Sequence, residues 1–542
     1  MSLGNQAHRK HIVNRLQPGE NEQPVFSSAR PNGHFSRSDL PYIALMTLVV
    51  STAVVLRWSS LGSESLWVDE GYTIWVSRFS PGAIWHSLQT DTSSPLYYIL
   101  LHYWAKRFGG SAFSVRELSA VFSTFSIPLF YFLARKILIN KTAIILAMAL
   151  YAVSFYQIWY AKEARCYGLL AFLSLASVYS LVRLLENRTV LHWCGLIFSV
   201  TASLYTHNMA LFYLPALALF WFVYPAQREI RKRLVDALLL GLVVLVLYIP
   251  WIPTLLMQAK RVHANFWMAR PNARDVLDSL GALSGFDPRT LSLDFYTVVR
   301  QQLHIPYLFF GYRTWYFGVL LIFVLCATGG LCADCPADRR KAAALLAYSS
   351  VPLFLVFTAS RLSTPVYGDR VFIGSSALLP MMFCAPIAFQ VGTRRRIFQL
   401  IGLAVLLGTT VSAFGYLRHR HKEDWRGATE YLLRLPERQR LLMVTPMLGE
   451  DLIRYYGPDF FKSNPQMEVA ALPAFAPMEV VRDHIDQASG NVQEIDAVIQ
   501  TGVGAFLLTY LAEHCASVEA VDLHGVEVRR CLMQSTSHNS GQ

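Results

Sequence analysis

Apolar runs of about 18 to 24 residues recur between Pro41 and Tyr416, and a helix needs roughly 20 such residues to cross the hydrocarbon core of a bilayer. A chain with that pattern has few folds open to it other than a bundle of membrane-spanning helices. Composition agrees, with 54% hydrophobic and only 15% charged residues. The formal charge of +12 does not imply nucleic acid. Lys and Arg stand in short clusters between apolar runs, and basic stripes interleaved with stacking aromatics are absent. Membrane lipids, and an anionic lipid or lipid phosphate in particular, are the partners this charge suits.

The basic turns orient the bundle. RKILINK, QREIRKR, DRRK and TRRR fall on one side if the chain makes about eleven spans with its amino end inside and its carboxyl end outside. Residues 1–39 are polar and basic, and read as a disordered cytoplasmic tail. Residues 40–417 form the membrane domain, with a first outer loop at 59–112 and a long outer loop at 257–306 that suits a lid. Within the first loop, PLYYILLHYWAKRF has an apolar face but is short and basic at its end, as expected of a helix lying in the interface. Residues 418–542 change character and read as a small extracytoplasmic α/β domain. RLLMVTPM and FLLTYL are its expected strands, DWRGATEYLLRL and DLIRYYG its expected helices, and no Gly-rich phosphate loop follows a strand. Most of the eight cysteines lie in apolar runs. Cys515 and Cys531 fall in the polar region, and a bridge between them is left open.

The stretch SLWVDEGYT, Ser65–Thr73, sets two adjacent carboxylates, Asp69 and Glu70, just beyond the first span. Carboxylates at a membrane edge are costly unless solvated, paired or metal-bound, so a functional role is the first reading and a solvated turn the bland one. Asp91 is a third acid in the same loop. Arg116, Lys162, Glu163, Arg165, His207, Arg361, Asp369 and Arg370 all fall near predicted outer helix ends. Any one of them could be a snorkelling side chain or a local ion pair. Together they offer what sugar transfer from a phosphate requires, namely an acid to take a proton and cations to hold the leaving phosphate. A divalent metal at Glu70 is left open, since His-x-x-x-His spacing is absent. The other class of protein that fits such charges is a lipid-linked sugar flippase or transporter, but transporters place their ionisable groups near the bilayer midplane and carry internal repeats, neither of which this chain displays.

SLWVDEGYT, SSPLYYILLHYWAKRFGGSAFSVRELSAVFS, WYAKEARCYGLLAFLSLASVYSL and PVYGDRVFIGSSALLPMM, in that order over about residues 40 to 420, resemble the GT-C membrane glycosyltransferases of the dolichyl-phosphate-mannose-protein mannosyltransferase and aminoarabinose transferase type. The resemblance implies a multispanning enzyme of the cell envelope, in a bacterial inner membrane. It would move a sugar from a polyprenyl-phosphate donor to a glycolipid, glycan or protein acceptor, with inversion. Asp69 matches the candidate base, and Glu70 a substrate or metal ligand. Arg116, Lys162, Arg165 and Arg370 are the expected phosphate holders. Asp91, Glu163, Tyr167, His207 and Tyr367 are the expected substrate contacts. Ser93-Ser94-Pro95 stands where the family often has His-Pro-Pro, so the resemblance carries no sugar identity.

Overall fold

The computed structural model describes residues 39–264, 268–285, 312–418, 422–435, 441–464, 467–488 and 494–533. Leu45–Gln542 form one compact unit. The expected tail, apart from Asp39, therefore lies outside the described residues, as do 265–267 and 286–306 of the long outer loop.

Among the described residues, seven helices are long and apolar enough to cross a membrane, or eight if one bent pair counts as a span. Three shorter apolar helices, Val190–Thr206, Asn208–Val223 and Tyr316–Leu331, would bring the eight to the expected eleven if each crosses, and the chain is a multi-pass membrane protein on either count. The helices that position the site are α1 (Leu40–Trp58), α2 (Val68–Ser77), α3 (Pro81–Ser87), α4 (Leu96–Phe108), α5 (Ala112–Ile137), α6 (Lys141–Val153), α7 (Phe155–Ala161), α8 (Tyr167–Glu186), α9 (Val190–Thr206), α10 (Tyr213–Val223), α11 (Ile230–Tyr248), α12 (Ile252–Ala264) and α13 (Ala273–Ser284). Leu238, Leu242 and Val246 of α11 and Leu400, Leu403 and Leu407 of the helix Gly392–Arg418 are exposed, as lipid-facing residues should be.

α6 and α7 meet at a 50° bend. Ser154 caps α7, accepting from the Gln157 N–H, and the carbonyls at the end of α6 are left without helical donors. Arg57, fully buried in α1, supplies them: its guanidinium donates to Tyr151 O at 3.2 Å and Ala152 O at 3.2 Å, and to Ser123 Oγ at 3.0 Å. A charge at this depth persists only when such polar partners surround it. The bend aims the loop 162–166 back at the first outer loop.

α5 and α8 pack closely because a Cβ on Gly168 would stand 2.8 Å from the Ser119 carbonyl oxygen. That approach lets Ser119 Oγ donate to Arg165 O at 2.9 Å. The Tyr97 hydroxyl, 2.7 Å from Ser119 Oγ, is then the donor of their shared bond. α4 has 13 residues, too short to cross. It is tied to α2 through His102 Nδ1, 2.9 Å from Ser77 O.

The carboxyl-terminal region is a five-stranded sheet in the order β2-β1-β3-β5-β4, comprising β1 (Leu441–Thr445), β2 (Glu468–Ala471), β3 (Glu494–Gln500), β4 (Cys515–Leu523) and β5 (Val526–Met533). β1 runs parallel to β2 and β3, and β3, β5 and β4 pair antiparallel. RLLMVTPM contains β1 as expected. FLLTYL does not form a strand but lies in the helix Ala505–His514, whose buried Leu507, Tyr510 and Leu511 recur at helical spacing. Cys515 and Cys531 are joined by a disulfide across the β4–β5 hairpin.

Candidate functional site

Asp69 and Glu70 occupy consecutive positions in the first turn of α2. Neighbours on a helix point about 100° apart, so the two carboxylates cannot share one environment. Glu70 turns inward and is completely buried, whereas the Asp69 side chain keeps 30% of its exposure.

Glu70 sits in a closed clamp. Its Oε1 accepts from Arg116 Nε at 2.8 Å, Ala164 N at 2.8 Å and Lys422 Nζ at 3.2 Å, and its Oε2 from Arg116 Nη2 at 2.6 Å. Burial alone would raise its pKa, but the Arg116 and Lys422 charges and the hydrogen bonds from Arg116 and the Ala164 N–H outweigh it and hold the carboxyl down at about 2. The other donors of Arg116 go to Leu61 O at 2.8 Å, Glu64 O at 2.9 Å and Ser65 O at 2.8 Å. All five of its N–H bonds are thus directed at protein oxygens. Arg116 fastens the loop 61–65 to Glu70 and does not line the cavity that Arg165 and Arg370 reach.

The same geometry answers the open question of a metal at Glu70. Both its oxygens face cationic or N–H donors, and a divalent ion there would stand against two positive groups. The residues do not fit one. Among the described residues, no cluster of three His, Cys, Asp or Glu side chains could hold a metal ion either.

Asp69 faces the other way. Its Oδ2 is 2.9 Å from Arg370 Nη1 and 3.7 Å from Arg165 Nη2. Arg165 also reaches Thr73 Oγ1 at 3.2 Å, and its Nε has no partner. Arg370 stands on the short 3-10 turn Asp369–Phe372, fixed by hydrogen bonds from the Tyr156 hydroxyl to Asp369 O and from the Tyr213 hydroxyl to Val371 O. Both arginines line a cavity of about 320 Å³.

Tyr167 and His207 line that cavity as well, their rings 5.9 Å apart. His207 Nδ1 accepts from the Met209 N–H at 3.1 Å. Burial, then Arg165 and Arg370, lower its pKa well below the usual value, so His207 is a neutral ring with a proton on Nε2. Much of the remaining wall is apolar, with Leu211, Phe212, Val262 and Met268. One side is a neutral polar relay, in which Ser94 Oγ donates to Asn208 Oδ1 at 2.8 Å, Asn208 Nδ2 to Gln258 Oε1 at 2.7 Å, and Gln258 Nε2 to Leu88 O at 2.8 Å.

The remaining expected site residues lie off this cavity. Lys162 is buried against Ser59 and the Tyr416 ring, and burial lowers its ammonium to about 8. Glu163 is buried with Oε1 accepting from Trp159 Nε1 at 2.6 Å. Burial raises its pKa. Asp91 accepts from the Ser93 N–H at 3.2 Å in a local turn. The Tyr367 hydroxyl bonds Ser279 of α13 at 2.9 Å. Asp91, Glu163 and Tyr367 do not line the cavity, whereas Asn208 and Gln258, which sequence reasoning missed, do. The only hint was their place in THNM and at the head of the long outer loop.

Residues 92–253 match the family model described as dolichyl-phosphate-mannose-protein mannosyltransferase. Among solved structures, the chain is similar to the crystal structure of ArnT from Cupriavidus metallidurans bound to undecaprenyl phosphate, at 14% identity and a TM-score of 0.52, covering 91% of this chain and 98% of that one. It is likewise similar to the apo structure of the same protein, at 13% identity and a TM-score of 0.53, covering 90% and 98%. No curated protein sequence matches the chain. The family-model match and the shared fold bear out the resemblance to the GT-C membrane glycosyltransferases.

Proposed function

We propose that this chain, with its GT-C-type fold, transfers a sugar from a polyprenyl-phosphate donor to an acceptor hydroxyl or amine at the outer face of the membrane. The observation that carries this reading is the Asp69 carboxylate paired with Arg370 and Arg165 beside a cavity whose charged lining is cationic and whose remainder is largely apolar. Guanidinium groups suit a phosphate, and apolar walls suit a polyprenyl chain.

Arg370 is bonded to Asp69. An entering donor phosphate competes for that guanidinium and frees the carboxylate. Asp69 then takes the proton of the acceptor as its oxygen or nitrogen attacks the anomeric carbon. The bond from that carbon to the phosphate oxygen breaks, and the electron pair leaves on the polyprenyl phosphate, stabilised by Arg370 and Arg165. A single displacement of this kind inverts the anomeric configuration. Thr73 and the fixed turn at Asp369–Phe372 keep the arginines in place, and the neutral Tyr167–His207 wall faces the sugar.

Residues 40–417 are assigned to the catalytic membrane domain and 418–542 to an extracytoplasmic domain. The Cys515–Cys531 disulfide supports an oxidising compartment for the latter, in keeping with the basic turns that would face the cytoplasm. A reporter fused after Gln542 should be active outside the cytoplasm, and a cytoplasmic signal would overturn the orientation. The reaction is tested in proteoliposomes with a labelled polyprenyl-phosphate sugar and cell-envelope acceptors. Transfer of label with release of polyprenyl phosphate is expected, whereas transbilayer movement of the donor without transfer would contradict it.

A further inference from the structure

Lys422 lies just beyond the last long apolar helix, Gly392–Arg418, at the entry to the carboxyl-terminal region, yet it is buried in the clamp around Glu70. Its Nζ reaches Glu70 Oε1 at 3.2 Å and Lys162 O at 3.0 Å. One ammonium thereby joins the start of α2 to the loop that carries Arg165. The next residue, Glu423, directs Oε2 at the Val68 N–H, 3.4 Å away, in the first turn of α2. Glu423 is itself held by Trp425 Nε1 at 2.8 Å and by Gln500 Nε2 at 2.6 Å.

Other parts of the same region close on the same loop. The Leu66 N–H donates to the Tyr456 hydroxyl at 2.6 Å, and the Arg426 N–H to Ser65 Oγ at 3.1 Å. The Leu452 side chain fills the space beside Gly71, where a Cβ would stand 2.8 Å from Leu452 Cδ2. The turn bearing Asp69 is therefore held by Arg116 from the membrane domain and by Lys422, Glu423 and Tyr456 from the carboxyl-terminal region. Trp67 at the amino end of α2 offers no side-chain cap of its own, and a carboxylate near that end complements the helix dipole.

We propose that Lys422 and Glu423 are positioning residues, through which the carboxyl-terminal region completes the active site by fixing α2 and the loop 162–166 so that Asp69 meets Arg165 and Arg370. Neither residue touches the cavity. Their role is to hold residues that do, because loosening a catalytic constellation by even an ångström can remove most of its rate. The kinetic part of this inference rests on the transfer reaction proposed above.

The test compares Lys422→Met, Lys422→Arg and Glu423→Gln with the unsubstituted full-length protein, by amide hydrogen exchange over Leu66–Thr73 and by kinetics in proteoliposomes. For Lys422→Met, faster exchange confined to Leu66–Thr73 and residues 162–166 is expected. Its kcat should fall at least ~10-fold while donor KM stays within ~3-fold, the split expected when only transition-state alignment is lost. Lys422→Arg should recover part of both losses. Glu423→Gln, which keeps the shape of the side chain, should give a smaller change in the same direction and serves if Lys422→Met does not fold. Unchanged exchange over Leu66–Thr73 in the folded variants would overturn the inference. So would a kcat left intact with only acceptor KM raised, which would make the region an acceptor contact instead. If the unsubstituted protein transfers no sugar, the proposed function fails, and the exchange measurement still decides the positioning role.

Discussion

Two clusters of like chemistry stand on either side of one helical turn. Around Glu70, a buried arginine has all five donors engaged and a buried lysine bonds Glu70 and the Lys162 carbonyl. Around Asp69, two arginines are partly exposed, reach a cavity, and leave an Arg165 donor without a partner. The residue types barely differ, but the hydrogen-bonding capacity left over does. A charge whose every donor is answered by protein can hold structure together but cannot receive a ligand. A charge held by one exchangeable ion pair can.

The largest effect that would test this contrast is on stability. Glu70→Ala leaves Arg116 and Lys422 buried without their carboxylate, and breaking a buried pair in this way costs ~3–5 kcal/mol. Arg116→Met should match it. Thermal unfolding in detergent should show both losses, and near-normal midpoints would show that the clamp is not structural. Arg370→Met should leave folding intact and lower transfer by ~100-fold, the scale of losing one donor to a developing anion. A loss below ~3-fold would move the phosphate elsewhere.

Acid offers a third handle on the same difference. The Glu70 carboxyl is lowered from 4.5 to about 2 in the fold. Its contribution to stability is therefore complete above ~4.5 and is lost as pH falls toward ~2. Unfolding midpoints measured across that window should fall less in Glu70→Gln, which has no carboxyl to protonate. Equal acid sensitivity would place the titrating group elsewhere. The smallest effect concerns Lys162, which faces Ser59 rather than the cavity. Lys162→Met should keep donor binding within ~3-fold, and a larger loss would return it to the phosphate-holding role its sequence position suggested.

Much of this was legible in the sequence because it depends on short-range pattern. Apolar runs mark the spanning helices, basic turns suggest their orientation, and the opposite helix ends collect Asp69, Arg165, Tyr167, His207 and Arg370. The burial of Glu70 in a clamp while Asp69 faces Arg165 and Arg370 was not legible, since it depends on α2 beginning at Val68 and on which way that turn then faces. The fastening by Arg116 was not legible because three of its partners are backbone carbonyls of the loop 61–65, which carry no side-chain signature. Lys422 is separated from Glu70 by 352 residues, a pairing that no local pattern encodes. In the carboxyl-terminal region the mixed sheet depends on long-range register, and a short apolar run such as FLLTYL suits either a strand or a buried helix.

The most direct test is Asp69→Asn in proteoliposomes, with sugar transfer per folded molecule and polyprenyl-phosphate binding measured on the same preparation. Asp69 as the proton acceptor predicts binding within ~3-fold of the unsubstituted protein and transfer reduced by ~10³-fold, within the range general-base removal produces. Normal turnover, or loss of binding without loss of turnover at saturating donor, would contradict it.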